Sequence, residues 1–179
     1  MLNIGNIDAQ LKSFETLREW QRIVAEFKEK TNIVLVGHGG NLAIADHMAV
    51  DITRLTKYTK ATFSPGSAIN ATSFINDSSF DDWLVCWFRS LNLVLNPENT
   101  FVIGISSSGK STDVLRLLEY CDSQSFSSSL ISAKHTSVPG STILLNTECA
   151  SYHHSEVLCL SIGYKLLLDS GFNCPSISS

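Results

Sequence analysis

The chain has no pair of cysteines spaced as CxxC, no apolar run of bilayer length and no surplus of basic residues. Each absence removes a class of protein. Cys86, Cys121, Cys149, Cys159 and Cys174 make 5 thiols, without the close pairing that a disulfide framework or a structural zinc site needs. They read as buried or idle thiols. A bilayer span takes roughly 18 apolar residues in a row, and none is found; nor does Met1–Asn6 open a basic-then-apolar signal segment. Lysine and arginine number 13 against 17 acidic residues, a net charge of −4. That balance excludes a strongly basic nucleic-acid surface and a polybasic membrane binder. Charged residues are 17% and aromatics 9% of the 179 positions, which does not fit a disordered chain. The expectation is a soluble, cytoplasmic globular domain.

What is present alternates. Leu11, Phe14, Leu17, Trp20, Val24 and Phe27 recur at steps of three and four, which predicts one amphipathic helix over 7–29. Ile33-Val34-Leu35-Val36 is an unbroken apolar run ending in glycine, the pattern of a parallel strand buried on both faces. Asn41 is placed to cap a helix through about Thr53. Ala61-Thr62-Phe63 is a short strand candidate, followed by helical stretches near 67–76 and 80–95. Phe101–Ile105 is the second clear strand, with a helix after it to Tyr120. Strands are expected at 128–132 and 142–146, and a last helix over 152–169. Alternating strands and helices predict an α/β three-layer sandwich with a parallel sheet of about five strands. The expected organisation is an N-terminal helix over 1–30 that joins subunits, a domain over 31–170 and a flexible tail over 171–179. Phe14, Trp20 and Phe27 exceed what a small core needs to cover, so they are expected to bury against another copy.

Parallel sheets bind ligands beyond the carboxyl ends of their strands, where the strand order reverses. Two loops stand there, 37–41 and 106–111, and both lead into helices. Gly104-Ile105-Ser106-Ser107-Ser108-Gly109-Lys110-Ser111 matches the nucleotide-binding pattern GxxxxGK[ST]. That motif normally follows the first strand of its domain, and here no apolar strand ending in a magnesium-binding Asp follows it. The second reading is a phosphate monoester, met by serine hydroxyls, by free N–H groups at a helix start and by the charge of Lys110. A water-binding serine cap is the bland alternative for any single serine.

These segments together resemble a family. Ile103–Ser111 is similar to the phosphate loop of sugar isomerase (SIS) domains, usually Ser-x-Ser-Gly-x-Ser. Val36-Gly37-His38-Gly39-Gly40-Asn41 resembles the glycine loop of its phosphoheptose isomerase branch, usually Gly-Asn-Gly-Gly-Ser. His47-Met48-Ala49-Val50-Asp51-Ile52 resembles that branch's His-Phe-Ala-x-Glu-Leu, and Ile75-Asn76-Asp77 with Phe80 its Ala-Asn-Asp-x-x-Phe. The four occur in family order, and the likeness runs from about residue 10 to 170. It implies a flavodoxin-like five-stranded parallel sheet, a homo-oligomer (dimer or tetramer) with sites at subunit interfaces, and sugar-phosphate binding by Ser106, Ser108 and Ser111 with Ser107 in support. Gly109, Lys110, His38, Gly39, Gly40, Asn41, Asn76 and Asp77 complete the implied substrate set. The implied activity is aldose–ketose isomerisation of the sedoheptulose 7-phosphate type. The rival is a non-catalytic phosphosugar sensor or a partner-binding scaffold.

Isomerisation through an enediol needs a base near carbon and an acid near the oxygens. In the branch, a Glu on the helix after the glycine loop is the base and a His on the last helix the acid; with a further His and a Gln they can hold zinc. By resemblance the base falls on Asp51, one methylene shorter, with His47 four residues before it on the same helix face. The Gln falls on Ser155 and the late His on Gly163, which cannot do that work. His153 and His154 are left as substitutes for the acid. Any zinc on His47 and Asp51 is therefore expected to be weakly held. His38 replaces the family Asn, and as open alternatives it contacts substrate or fills a loop gap; Asn76-Asp77 can equally be a helix terminus. Phe63-Ser64-Pro65-Gly66-Ser67 replaces a polar Asp-containing loop that follows the second strand in the branch.

Overall fold

A computed structural model describes residues 6–177. Met1–Gly5 of the expected N-terminal segment, and Ser178 and Ser179 of the expected tail, lie outside the described residues. Five strands form one sheet in the order β2-β1-β3-β4-β5. They are β1 (Asn32–Gly37), β2 (Ala61–Phe63), β3 (Thr100–Ile105), β4 (Ser127–Ser132) and β5 (Ile143–Asn146), and every pairing is parallel. Helices α1 (Ile7–Phe14), α2 (Arg18–Glu29), α3 (Gly40–Leu55), α4 (Ala68–Asp77), α5 (Trp83–Ser90), α6 (Thr112–Ser123) and α7 (Tyr152–Asp169) cover it.

The central strands carry apolar side chains on both faces, and a strand's period of two sorts them. Ile33, Leu35, Phe101, Ile103 and Ile105 join a core with Trp20, Phe27, Met48, Ile52, Leu158 and Ile162 from α2, α3 and α7. Val34, Val36 and Val102 face the other way, against Trp83, Trp87, Phe88, Leu117 and Leu118 of α5 and α6. This is the expected three-layer sandwich. Gly104 permits the close approach of α6, since a Cβ there would stand 2.9 Å from Val114 Cγ1. Among the described residues, no helix is long and apolar enough to cross a membrane.

Four expectations need correction. The stretch 7–29 is two helices. The chain turns at Glu15–Leu17, where Leu17 N–H donates to Phe14 O at 2.8 Å and Leu17 takes an extended backbone. Helix α2 buries Trp20 and Phe27 as expected, with Ile23 fully buried and Val24 half-buried, while Leu17 stays exposed. Phe14, Trp20 and Phe27 are also covered by the chain's own α3, α7 and sheet, at 4%, 2% and 0% exposure, so their burial requires no second copy. Finally, the cap of α3 is Gly39, at φ 52°, and Asn41 sits inside the first turn. The stretch 80–95 is helical only over Trp83–Ser90.

The last helix agrees with its expected bounds. Beyond it, Phe172 packs edge-to-face on Phe27, with ring centroids 6.5 Å apart. Deleting that aromatic contact and the buried surface beneath it should be costly. Phe27→Ala is expected to lower unfolding free energy by about 3–5 kcal/mol. Urea denaturation followed by tryptophan fluorescence measures it, and a loss under 1 kcal/mol (roughly that of a surface change) would show that Phe27 is not core.

Candidate functional site at the carboxyl edge of the sheet

The strand order reverses between β1 and β3. The chain leaves β1 toward β2 and leaves β3 toward β4, so the two following loops part and leave a crevice above the sheet. The first loop is His38-Gly39, and the second is Ser106–Ser111, which enters α6.

The second loop is wound around its own serines. Ser106 Oγ and Ser111 Oγ share a hydrogen bond at 2.9 Å, and the Ser111 N–H donates to Ser106 Oγ at 3.4 Å. Lys110 N–H donates to Ser108 Oγ at 3.2 Å. Gly109 turns the chain at φ 67°, in a space where a Cβ would stand 2.9 Å from Ser132 Oγ and Thr136 Cβ. Thr136 Oγ1 donates to Gly109 O at 3.1 Å and braces the turn from the β4–β5 connection. Ser106 and Ser107 are buried, Ser108 and Ser111 are half-buried, and Lys110 is exposed. The loop thus presents hydroxyls and a lysine at the N-terminus of α6, whose first-turn N–H groups lack intrahelical partners and carry partial positive charge.

Ser107 ties the site together. Ser155 Oγ on α7 donates to Ser107 Oγ at 2.8 Å, and Asn41 Nδ2 on α3 donates to it at 3.1 Å. All three residues are buried. On the other side, His38 Nε2 bonds Asp113 Oδ2, and the Trp83 indole N–H donates to the same oxygen at 2.9 Å. Asp113 is fully buried in the first turn of α6. The bond to Asp113 raises the His38 pKa above its ordinary 6.5, against the opposing effect of burial. Phe80 stacks on the imidazole, with centroids 5.2 Å apart and planes at 16°.

Further along α3, His47 and Asp51 meet as expected, with Nε2 3.2 Å from Asp51 Oδ2. A third group completes the cluster. The Tyr164 hydroxyl donates to Asp51 Oδ2 at 2.7 Å and lies 3.0 Å from His47 Nε2. The hydrogen bond to Asp51, with burial adding to it, pushes the Tyr164 phenol up to about 12. Both helices follow parallel strands and run side by side, so Gly40 lies against Glu156, Met48 against Gly163 and Asp51 against Tyr164. His153 and His154 are at the α7 entrance, about 15 Å along the helix from Tyr164 at 1.5 Å per residue. They are not brought to Asp51. His154 Nε2 bonds Gln10 Oε1 on α1 at 2.7 Å, and His153 lies 3.6 Å from Glu156. Asn76 and Asp77 are exposed in the last turn of α4 and bond to each other.

The donor set does not fit zinc within the chain. Ser155 offers a hydroxyl already spent on Ser107, and Gly163 offers nothing: a Cβ there would stand 2.6 Å from Met48 Cε. Among the described residues, no three His, Cys, Asp or Glu side chains form a metal-binding group.

No protein-family model matches the chain. It is 32% identical over 104 residues to the phosphoheptose isomerase of Chlorobium limicola, covering 55% of this chain and 47% of that protein. The match therefore spans about half of that relative's length. In fold it is similar to the phosphoheptose isomerase of Neisseria gonorrhoeae, at TM-score 0.70 and 16% identity over 89% of this chain and 88% of that one. The chain is thus similar to phosphoheptose isomerases in part of its sequence and, over most of its length, in fold. The fold is also similar to that of the Vibrio vulnificus NanR protein complexed with ManNAc-6P, at TM-score 0.60 and 14% identity over 92% of this chain and 58% of that one.

Asp113, Trp83 and Tyr164 were not legible as site residues, since each reads in sequence as part of a helix start or an apolar stripe. For Tyr164 one signal exists: a hydroxyl on a packed helix face needs a partner. His38 binds its proton more tightly in the folded chain than in the unfolded one. Its stabilising effect is full below about pH 6.5, its ordinary value, and fades as pH rises through the raised folded value. Urea midpoints of wild type and His38→Gln should therefore converge between pH 6 and pH 9. A constant gap would show that the pairing with Asp113 does not depend on the charge of His38.

Proposed function

We propose that this chain binds a phosphosugar in the crevice between β1 and β3, with the phosphate on Ser106, Ser108 and Ser111. The observation that carries the reading is the serine loop itself, wound by Gly109 onto the N-terminus of α6 at the point where strand order reverses. A phosphate monoester matches both the hydroxyl donors and the partial positive charge. Ser107, Gly39, Gly40 and Asn41 shape the crevice, and Lys110 adds charge at its rim.

The chemistry we assign is aldose–ketose isomerisation of a sedoheptulose 7-phosphate-like substrate, with Asp51 as the base. Asp51 Oδ2 is committed to Tyr164, which leaves Oδ1, 3.9 Å from Arg54, to take a proton from carbon. Tyr164 keeps its proton across the physiological range and serves as a donor. His47, exposed beside it, is the group able to exchange protons with substrate oxygens. A second copy across α3 and α7 completes the site in this reading. Val50, Val157 and Leu168, exposed on those two helices, support such a surface. The 5 free thiols accord with a cytoplasmic setting.

One observation favours a second reading, a phosphosugar sensor without catalysis. The position of the family's late acid is Gly163, and Met48 fills the space beside it. One experiment covers both readings. Sedoheptulose 7-phosphate at 100 times its Kd should stabilise the fold by about 2.7 kcal/mol, a thermal shift of roughly 5–10 °C for a domain this size. Ser108→Ala with Ser111→Ala should abolish the shift. Proton exchange at C1 and C2, followed by NMR in heavy water, should be slow in wild type and lost in Asp51→Asn. A shift without exchange supports the sensor; stabilisation by ATP and magnesium alone overturns phosphosugar binding.

A further inference from the structure

His38 stands in the first loop of the crevice, where the resembling branch has an asparagine, and its surroundings are built for a charge. Its Nε2 is committed to Asp113, a carboxylate with no exposed surface. Burying a carboxylate is costly unless it is paired, and Asp113 has two partners, the His38 ring and the Trp83 indole N–H. Both hold the same oxygen, while Oδ1 has no partner among the described residues. Neutralising that anion therefore falls to His38. The imidazole lies flat against Phe80 and tilted to Trp83, with centroids 5.2 and 6.2 Å away. The negative faces of aromatic rings favour a cation beside them.

The other ring nitrogen is uncommitted. Nδ1 has no partner among the described residues, and 32% of the His38 side chain is exposed. With Nε2–H donating to Asp113, a neutral ring leaves Nδ1 as an acceptor, whereas a protonated ring makes it a charged donor. The first form suits a sugar hydroxyl and the second an anionic oxygen. Charged or titratable groups on the surrounding elements are Asp113 on α6, Asp81 and Asp82 before α5, Lys110 in the serine loop, and His153 and Glu156 on α7. Among the described residues, Asp113 alone hydrogen-bonds the ring.

We propose that His38, braced by Asp113, is a cationic contact for the sugar phosphate and makes its affinity depend on pH. The inference rests on the phosphosugar reading above and adds a specificity-determining residue to it. The hydrogen bond to the carboxylate raises the proton affinity of His38, so the charged form persists above the pH at which an ordinary imidazole loses it. Asp113 and Trp83 are positioning residues: they hold the ring without touching the ligand.

Isothermal titration of sedoheptulose 7-phosphate from pH 7 to pH 9 tests this. The phosphate, with a second pKa of about 6, stays largely dianionic over that range, so a change in affinity reports the protein. In wild type, Kd should rise with pH, approaching tenfold per unit above the His38 pKa, and binding should take up close to one proton there. His38→Gln keeps a donor for Asp113 but cannot charge; its Kd should be flat, with no proton uptake. The ring's own titration, read from its NMR signals, should shift upward when ligand is added. A slope shared by wild type and His38→Gln, with binding intact in both, overturns the role of His38 and leaves phosphosugar binding standing. No binding to wild type at any pH overturns both.

Discussion

Three buried polar side chains meet at Ser107, and the arrangement of the crevice depends on their satisfying one another. A buried hydroxyl or amide without a partner costs about 1–3 kcal/mol, so Asn41, Ser107 and Ser155 fix one another's positions. Through them the N-terminal turn of α3, the serine loop and the first turn of α7 become one unit. The loop is held from its inner side by Ser107, while Ser108 and Ser111 keep part of their surface exposed. Gly109 and Thr136 close the turn from the other side.

The same network shows how this chain departs from the branch it resembles. Serine at 155 is short enough to bond Ser107 and lie wholly buried. Glycine at 163 lets Met48 pack against α7. Two positions that in the branch bear polar side chains for chemistry serve here as packing and bracing. Chemistry-bearing groups stand elsewhere: His38 over Asp113 at the crevice, and the His47–Asp51–Tyr164 cluster further down α3 and α7. Binding machinery and proton-transfer machinery are thus separate clusters on one chain, tied by the parallel packing of α3 and α7.

Much of this was legible in the residues. Continuous apolar runs marked β1 and β3, and the polar loops after them located the crevice. The helix at 152–169 followed from its spacing. Elsewhere tertiary context decided. The apolar residues of 7–29 fit one helix, yet burying Phe14 and Trp20 against the same core required a turn between them. Asn41 has the chemistry of a cap, but its amide satisfies Ser107 instead. Asp113 reads as an acidic residue in a first helical turn, and nothing local says that His38, 75 positions earlier, lies against it. His153 and His154 are close to Ser155 in sequence, but a helix puts about 15 Å between them and Tyr164.

The central claim is that the serine loop holds the phosphate of a sugar at the β1–β3 crevice. A crystal structure of the protein soaked with sedoheptulose 7-phosphate tests it most directly. The expected result is a phosphate within hydrogen-bond distance of Ser106, Ser108 and Ser111, with the sugar running past His38. Density for the ligand elsewhere, with this loop holding only water, would contradict it.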